Sequence, residues 1–248
     1  MIKAQNWIIL YEIDKMELKD KIYIVTGGSS GLGKAMALAL IENGAKVIIT
    51  GRDADKLDRV GSEINAKTFH ADVANDADIE ALFEFVESEF GSLDGLINNA
   101  GIGDWAAIDE MDREKMKHVF EINVFGASMM ASHAAKMFKK QNYGDIVNIA
   151  STASVKGFKM GSIYAASKFA LRGLSQCWQA ELRPHNVRVI QINPSEVPTA
   201  FSAEDRQERP LEDNKLRPKE IADVLIATLK MDRRGFIPEV SVFATNPF

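Results

Sequence analysis

The segment Ile22-Tyr23-Ile24-Val25-Thr26-Gly27-Gly28-Ser29-Ser30-Gly31-Leu32-Gly33 decides the fold of this 248-residue chain. Its first five residues are apolar or β-branched with no alternation, the composition of a strand buried on both faces of a parallel sheet. The glycines that follow allow a tight turn. A helical period then runs from Leu32 to Glu42 and closes at Gly44, a C′ glycine, so a helix N-terminus comes straight after the turn. The free N–H groups and dipole of such an N-terminus favour a pyrophosphate. A glycine-rich turn between a buried strand and an amphipathic helix therefore points to a dinucleotide site, here with the spacing G-x-x-x-G-x-G over Gly27, Gly31 and Gly33.

Outward from this segment, similar apolar runs recur at Lys46 to Thr50, Gly95 to Asn98, Asp145 to Ile149 and Val187 to Asn193, and Glu239 to Asn246 reads as a last strand. Between them lie helical periods. Ile79, Leu82, Phe83, Val86 and Phe90 share one face, Arg113 to Lys140 is a longer helical run, Tyr164 to Leu182 is rich in helix formers, and a further helix begins near Pro218. Regular β-α alternation with short connections predicts an α/β chain with one doubly wound parallel sheet of about seven strands and helices on both faces. With no internal repeat and no linker, residues 16–248 read as one domain. Two stretches depart from the alternation. Ser202 to Pro218 is strongly polar and follows the strand ending at Asn193, where it is either a substrate lid near 200–218 or a solvated loop. Residues 1–15 are an N-terminal extension of unknown role, or lie upstream of a true start at Met16.

Composition excludes several functions. There are 35 carboxylates against 30 Lys and Arg, for a net charge of -5, so the basic face that nucleic acid requires is not expected. A lone Cys177 can form neither an internal disulfide nor a cysteine-rich zinc site. Together with apolar runs far shorter than the ~20 residues of a membrane span and no secretory signal, this predicts a cytoplasmic protein that does not cross a membrane. His70, His118, His133 and His185 are scattered, so no metal site is expected. Cys177, Met129, Met130 and Met160 read as packing residues, Met160 also falling where it could border a substrate.

Several motifs occur in one order: Thr26 to Gly33, Asp72-Val73, Asn98-Asn99-Ala100-Gly101, Asn123, Ser151, Tyr164-Ala165-Ala166-Ser167-Lys168, and Asn193-Pro194 with Thr199 beyond. Together they resemble the short-chain dehydrogenase/reductase family from about Glu17 to Asn246. The resemblance implies a Rossmann fold and a nicotinamide cofactor. It implies that Gly27, Ser29, Ser30, Gly31, Leu32 and Gly33 cradle the cofactor, that Asp72 receives the adenine amino group beside Val73, and that Asn99, Ala100 and Gly101 run along the adenine ribose. Asn98 would chiefly brace the sheet. At the far end, Thr199 would bond the nicotinamide carboxamide, with Pro194 and Val197 beside it. Ser195 departs from the glycine usual after this proline. The second strand closes on Gly51-Arg52 where an NAD site commonly carries an acid, and an arginine with no acid beside it suits a 2′-phosphate, so NADP(H) is the expected cofactor.

Tyr164 and Lys168, spaced i, i+4, share one helix face. A phenol needs help to transfer protons at neutral pH, and the Lys168 cation is expected to lower its pKa. Ser151 emerges from a buried strand, 13 residues before Tyr164, the family's separation. The resemblance makes Ser151, Tyr164 and Lys168 catalytic with Asn123, which would hold a water linking the lysine to solvent. Tyr164 and Lys168 also contact the cofactor in this reading. The expected activity is reversible, NADPH-dependent reduction of a small carbonyl substrate, with Trp105, Phe158, Met160 and Phe201 suggesting an apolar pocket. A 3-oxoacyl thioester reductase is the alternative; acyl carrier protein is not a favoured partner, because Asn142 and His185 stand where such reductases present arginines. A non-catalytic NADP sensor on the same fold is a remote second alternative. A homodimer or homotetramer is expected, although the Gly-Gly tail common in tetrameric relatives is missing.

Overall fold

Strand β1 (Ile22–Thr26) is buried at every residue, and its two neighbours fix the sheet. In the computed structural model the described residues are 18–202, 209–210 and 212–247. Six more parallel strands follow: β2 (Lys46–Gly51), β3 (Lys67–His70), β4 (Gly95–Asn98), β5 (Gly144–Ile149), β6 (Val187–Pro194) and β7 (Glu239–Val242). Their order across the sheet is β3-β2-β1-β4-β5-β6-β7. The order reverses direction between β1 and β4, so the crevice at the carboxyl ends of these two strands is where a doubly wound sheet takes a ligand.

Side chains alternate across the sheet with period two. Tyr23 and Val25 face one core with Met36, Leu40, Leu57 and Leu225, drawn from helices α1 (Gly31–Glu42), α2 (Ala54–Ile64) and α7 (Pro218–Lys230). Ile22 and Ile24 face the other with Leu82, Val86 and Phe138, from α3 (Asp76–Phe90) and α5 (Ala127–Gln141). Each such side chain contributes about 1.5–3 kcal/mol by leaving water. Helix α4 (Arg113–Phe120) leads through a π-helical turn, Glu121–Gly126, into α5, and α6 (Ser162–Leu182) crosses between β5 and β6. Among the described residues no helix is long and apolar enough to cross a membrane.

At the amino-terminal edge of the sheet a buried ionic cluster locks β5 to β6. Arg188 grips Asp145 at 2.7 and 2.9 Å, and Arg233 adds two contacts of 3.1 Å to the same carboxylate. Both arginines also donate to backbone carbonyls, which satisfies the charge that burial strands.

Several expectations need correction. The last strand stops at Val242 rather than Asn246, because its partner β6 ends at Pro194, paired with Val242. The helical run Arg113 to Lys140 is broken by the π-helical turn that contains Asn123. Cys177 is exposed: Leu171, Ser175 and Leu182 set the buried face of α6, and Cys177 points away from it. Met130 is core, but Met129 and Met160 are 40% and 46% exposed. The extension 1–15, Met16, and the lid residues 203–208 and 211 lie outside the described residues.

Candidate active site

The crevice is held open by one threonine and one asparagine. Thr26 ends β1, and its hydroxyl accepts the N–H groups of Asn99 and Ala100 at 3.0 and 2.9 Å. Asn99 returns its side-chain amide to the carbonyls of Thr26 and Gly27 at 2.9 and 3.2 Å. The turns after β1 and β4 are thereby clamped together. Asn98 instead braces the sheet, donating to Asn148 and to the Ala127 carbonyl at 3.0 Å each.

Two glycines shape the turn itself. Gly31 has φ +50, and a Cβ there would stand 3.3 Å from the Cβ of buried Thr199. A Cβ on Gly33 would lie 2.2 Å from the Gly27 carbonyl oxygen, so helix α1 can pack this close only on glycine. Ser30 precedes the helix without capping it by its side chain, which leaves the N-terminus fit for an anion. Gly28 donates to the Thr50 carbonyl at 3.0 Å, and a Cβ on Gly51 would be 3.5 Å from the Ser29 hydroxyl, so exposed Arg52 starts beside the turn. Asp72 follows β3, its carboxylate accepting the Ala74 N–H at 3.0 Å, and Val73 is buried next to it. These residues form a cradle that fits a dinucleotide: a glycine-lined floor, a helix N-terminus that the Ser30 side chain does not cap and a cation at one rim.

At the other end, Ser151 caps the short turn Thr152–Ser154, its hydroxyl accepting the Ala153 N–H at 3.1 Å. Tyr164 lies in the first turn of α6, with the Ser151 side chain near enough to pull its phenol's pKa down. Lys168, one turn on, is 4% exposed; its Nζ donates to the Ile149 carbonyl at 3.0 Å and lies 5.7 Å from the Tyr164 ring centre. Burial pushes the Tyr164 phenol up to about 12, with the Ser151 side chain pulling the other way, and brings the Lys168 ammonium down to about 8. The expectation that Lys168 lowers the phenol is therefore corrected for this protein alone: desolvation wins, and the ammonium is turned to the end of β5.

Asn123 is 1% exposed in the π-helical turn. Its Oδ1 accepts the Ile102 N–H at 2.9 Å, and its Nδ2 donates to the Ile102 carbonyl and to Ser167 Oγ at 2.8 and 3.0 Å. Ser167 in turn donates to the Tyr164 carbonyl at 2.7 Å. A Cβ on Gly101 would come 3.2 Å from Asn123 Oδ1 and 3.6 Å from Lys168 Nζ, so the Gly101 turn, Asn123 and Lys168 are packed as a unit.

The rim is aromatic. The Trp105 and Phe201 rings lie 5.9 and 5.6 Å from the Tyr164 ring and 6.3 Å from each other. Ala106 bonds the Met160 carbonyl at 3.0 Å, tying the loop of Trp105 to the loop of Phe158 and Met160. The structure thus brings Ser151, Tyr164, Lys168, Asn123 and Gly101 to one place, and Thr199 against Gly31. Pro194 closes β6 in the core, with half-buried Val197 beyond it, and Ser195 gives its N–H to the Val242 carbonyl at 2.8 Å. Arg52 and Asp72 stand apart at the opposite end. The sequence offers Thr152 and Ser154 as near rivals of Ser151, but Ser154 is buried under the Ser151 turn; Glu239 has no role in any spacing motif, and only the fold brings it near.

Comparison with known proteins shows the family. Residues 21–210 match the short chain dehydrogenase family. An uncharacterized oxidoreductase of Staphylococcus saprophyticus is 34% identical over 234 residues, covering 92% of this chain and 98% of that protein. A metagenomic short-chain oxidoreductase solved in complex with NADP is similar at 30% identity and a TM-score of 0.79, over 91% of this chain and 97% of its own. A 3-ketoacyl-(acyl-carrier-protein) reductase from Brucella melitensis, complexed with NADH, has 27% identity and a TM-score of 0.84 over 94% and 100%.

Proposed function

Because this chain belongs to the short chain dehydrogenase family, we propose that it reduces a small carbonyl compound to the alcohol, reversibly, with NADPH. The observation that carries the reading is the convergence of three side chains: Ser151 at the end of β5, Tyr164 in the first turn of α6, and Lys168 buried one helical turn on with its Nζ 5.7 Å from the Tyr164 ring centre. Bound in the cradle, the reduced nicotinamide supplies hydride to the carbonyl carbon. Tyr164, protonated throughout the neutral range, gives its phenolic proton to the carbonyl oxygen. Ser151 holds that oxygen and stabilises the charge that gathers on it. Lys168 keeps a positive charge below about pH 8, with its Nζ on the Ile149 carbonyl and 5.7 Å from the Tyr164 ring centre. Asn123, its side chain committed to Ile102 and Ser167, holds the Gly101 turn and the backbone of Tyr164 in place. Reversal returns each proton along the same route.

Arg52, with no acid at Gly51, supports the 2′-phosphate and hence NADPH over NADH. Trp105, Phe201, Phe158 and Met160 support an apolar substrate. The second reading, reduction of a 3-oxoacyl thioester, draws on the likeness to the Brucella reductase, and Lys139 and Lys140 close α5 on the side where Asn142 and His185 supply no arginine. Loss of reduced-nicotinamide absorbance with benzaldehyde, 2,3-butanedione and acetoacetyl-CoA separates the two. Turnover of the first two supports the simple carbonyl reading, turnover of the thioester alone supports the second, and no turnover of any contradicts both.

A further inference from the structure

Ser151 and Tyr164 sit on different elements, the turn after β5 and helix α6, and their hydroxyls can act on one substrate oxygen only while those elements keep a fixed spacing. A chain of polar groups outside the reaction centre spans the same two elements. Ser154, wholly buried, gives its N–H to the Ser151 carbonyl and its hydroxyl to Asn193 Oδ1, both at 2.9 Å. Asn193, wholly buried near the end of β6, gives Nδ2 to Glu239 Oε1 at 2.9 Å. The second carboxylate oxygen of Glu239 takes Nε of Arg172 at 3.0 Å. Arg172 lies one turn beyond Lys168 on α6. One carboxylate at the start of β7 therefore holds the serine turn with one oxygen and the tyrosine helix with the other.

The direction of every bond in this chain follows from the carboxylate. An ionised Glu239 only accepts, so Asn193 must face it with its NH2 group and turn Oδ1 toward Ser154 and Gln191. Gln191 then donates to Asn193 Oδ1 at 2.8 Å, and its own Oε1 is left buried without a partner among the described residues, at the wall of a 160 Å³ cavity lined also by Arg172 and Glu239. An unpaired buried oxygen weakens a fold, so stability alone does not account for this arrangement. Nor does the ion pair: Arg172 and Glu239 are 32% and 26% exposed, where such pairs contribute little.

We propose that Glu239 is a positioning residue: by bridging Asn193 and Arg172 it sets the distance between Ser151 and Tyr164. The proposal rests on the reading of Ser151 and Tyr164 as the reacting pair. The Ser151 side chain pulls the phenol down against burial, so loosening the bridge makes the phenol give up its proton only at higher pH.

The test compares Glu239→Gln, which keeps an acceptor for Asn193 but turns an amide toward Arg172, with Ser154→Ala, which cuts the chain at its other end. Both are assayed with whichever of benzaldehyde, 2,3-butanedione and acetoacetyl-CoA the parent reduces fastest, and with its alcohol in reverse. The expected result is a ten- to hundred-fold fall in kcat with the Kd for NADPH unchanged, an alcohol-oxidation pH profile displaced to higher pH, and a double variant no worse than either single one. Parental kcat and an unmoved pH profile in Glu239→Gln would overturn the proposal, as would additive effects in the double variant. Tyr164→Phe in the same assay separates the two failures. An inactive Tyr164→Phe beside an unaffected Glu239→Gln sinks this proposal alone, and an active Tyr164→Phe sinks the reading beneath it.

Discussion

The Lys168 ammonium donates to the Ile149 carbonyl at 3.0 Å from inside the protein, where burial brings its pKa down from 10.5 to about 8. Between these values the folded chain has released a proton that the unfolded chain still holds, so stability rises with pH across that window. Below about pH 8 both states are charged, and the folded state bears the cost of burying the charge. Lys168→Met removes the titration. From pH 7 to pH 10, the difference in unfolding free energy between variant and parent should move in the parent's favour by about 2 kcal/mol. Urea denaturation at the two pH values measures this, and an unchanged difference would show that Lys168 does not titrate near 8.

Gly33→Ala should be poorly tolerated. Its methyl group would stand 2.2 Å from the Gly27 carbonyl oxygen, which is backbone and cannot swing aside. A loss of about 1–3 kcal/mol in stability is expected, with NADPH binding at least ten-fold weaker because the turn must open. Gly173→Ala is the control: nothing lies within 4 Å of a Cβ there, and the change in helix α6 should gain about 0.5–1 kcal/mol. Equal behaviour of the two variants in thermal unfolding and cofactor titration would contradict the close-packing argument.

Asp145→Ala would leave Arg188, 4% exposed, without its carboxylate. A buried cation stripped of its partner costs about 3–5 kcal/mol. Because the cluster lies at the amino-terminal edge of the sheet, away from the crevice, kcat per folded molecule should not change. A variant as stable as the parent in urea would mean that the Met231 and Leu229 carbonyls suffice for Arg188 without the acid.

Arg52→Asp tests the cofactor preference. The exposed guanidinium beside the glycine turn would be replaced by an acid suited to a ribose 2′-OH and hostile to a 2′-phosphate. The ratio of kcat/KM for NADPH to that for NADH should fall at least ten-fold. A ratio that does not move would remove Arg52 from the cofactor site.

Much of this architecture is legible in residues that are buried on both faces or bound to a motif. The runs containing Ile22, Val47, Leu96, Ile146 and Val189 announce their strands because parallel strands need apolar residues on both sides. Strand β3 was not located that way: Lys67-Thr68-Phe69-His70 lies at the sheet edge with exposed ends, so nothing apolar marks it. The cradle and the pair Tyr164 and Lys168 are spacing motifs, hence visible. The Thr26–Asn99 clamp lies inside two of those motifs, but its hydrogen bonds belong to the meeting of β1 and β4. The Glu239 bridge joins residues 67 positions apart through an arginine on another element, a relation that no local pattern encodes.

The central claim is that the Tyr164 phenol moves the proton. Tyr164→Phe deletes one oxygen and leaves the ring between Trp105 and Phe201, so the fold and the cradle stay intact. NADPH titration and carbonyl-dependent NADPH oxidation, measured on the same preparation, should show parental Kd with turnover reduced at least a thousand-fold. Parental binding together with more than a tenth of parental turnover would contradict the account.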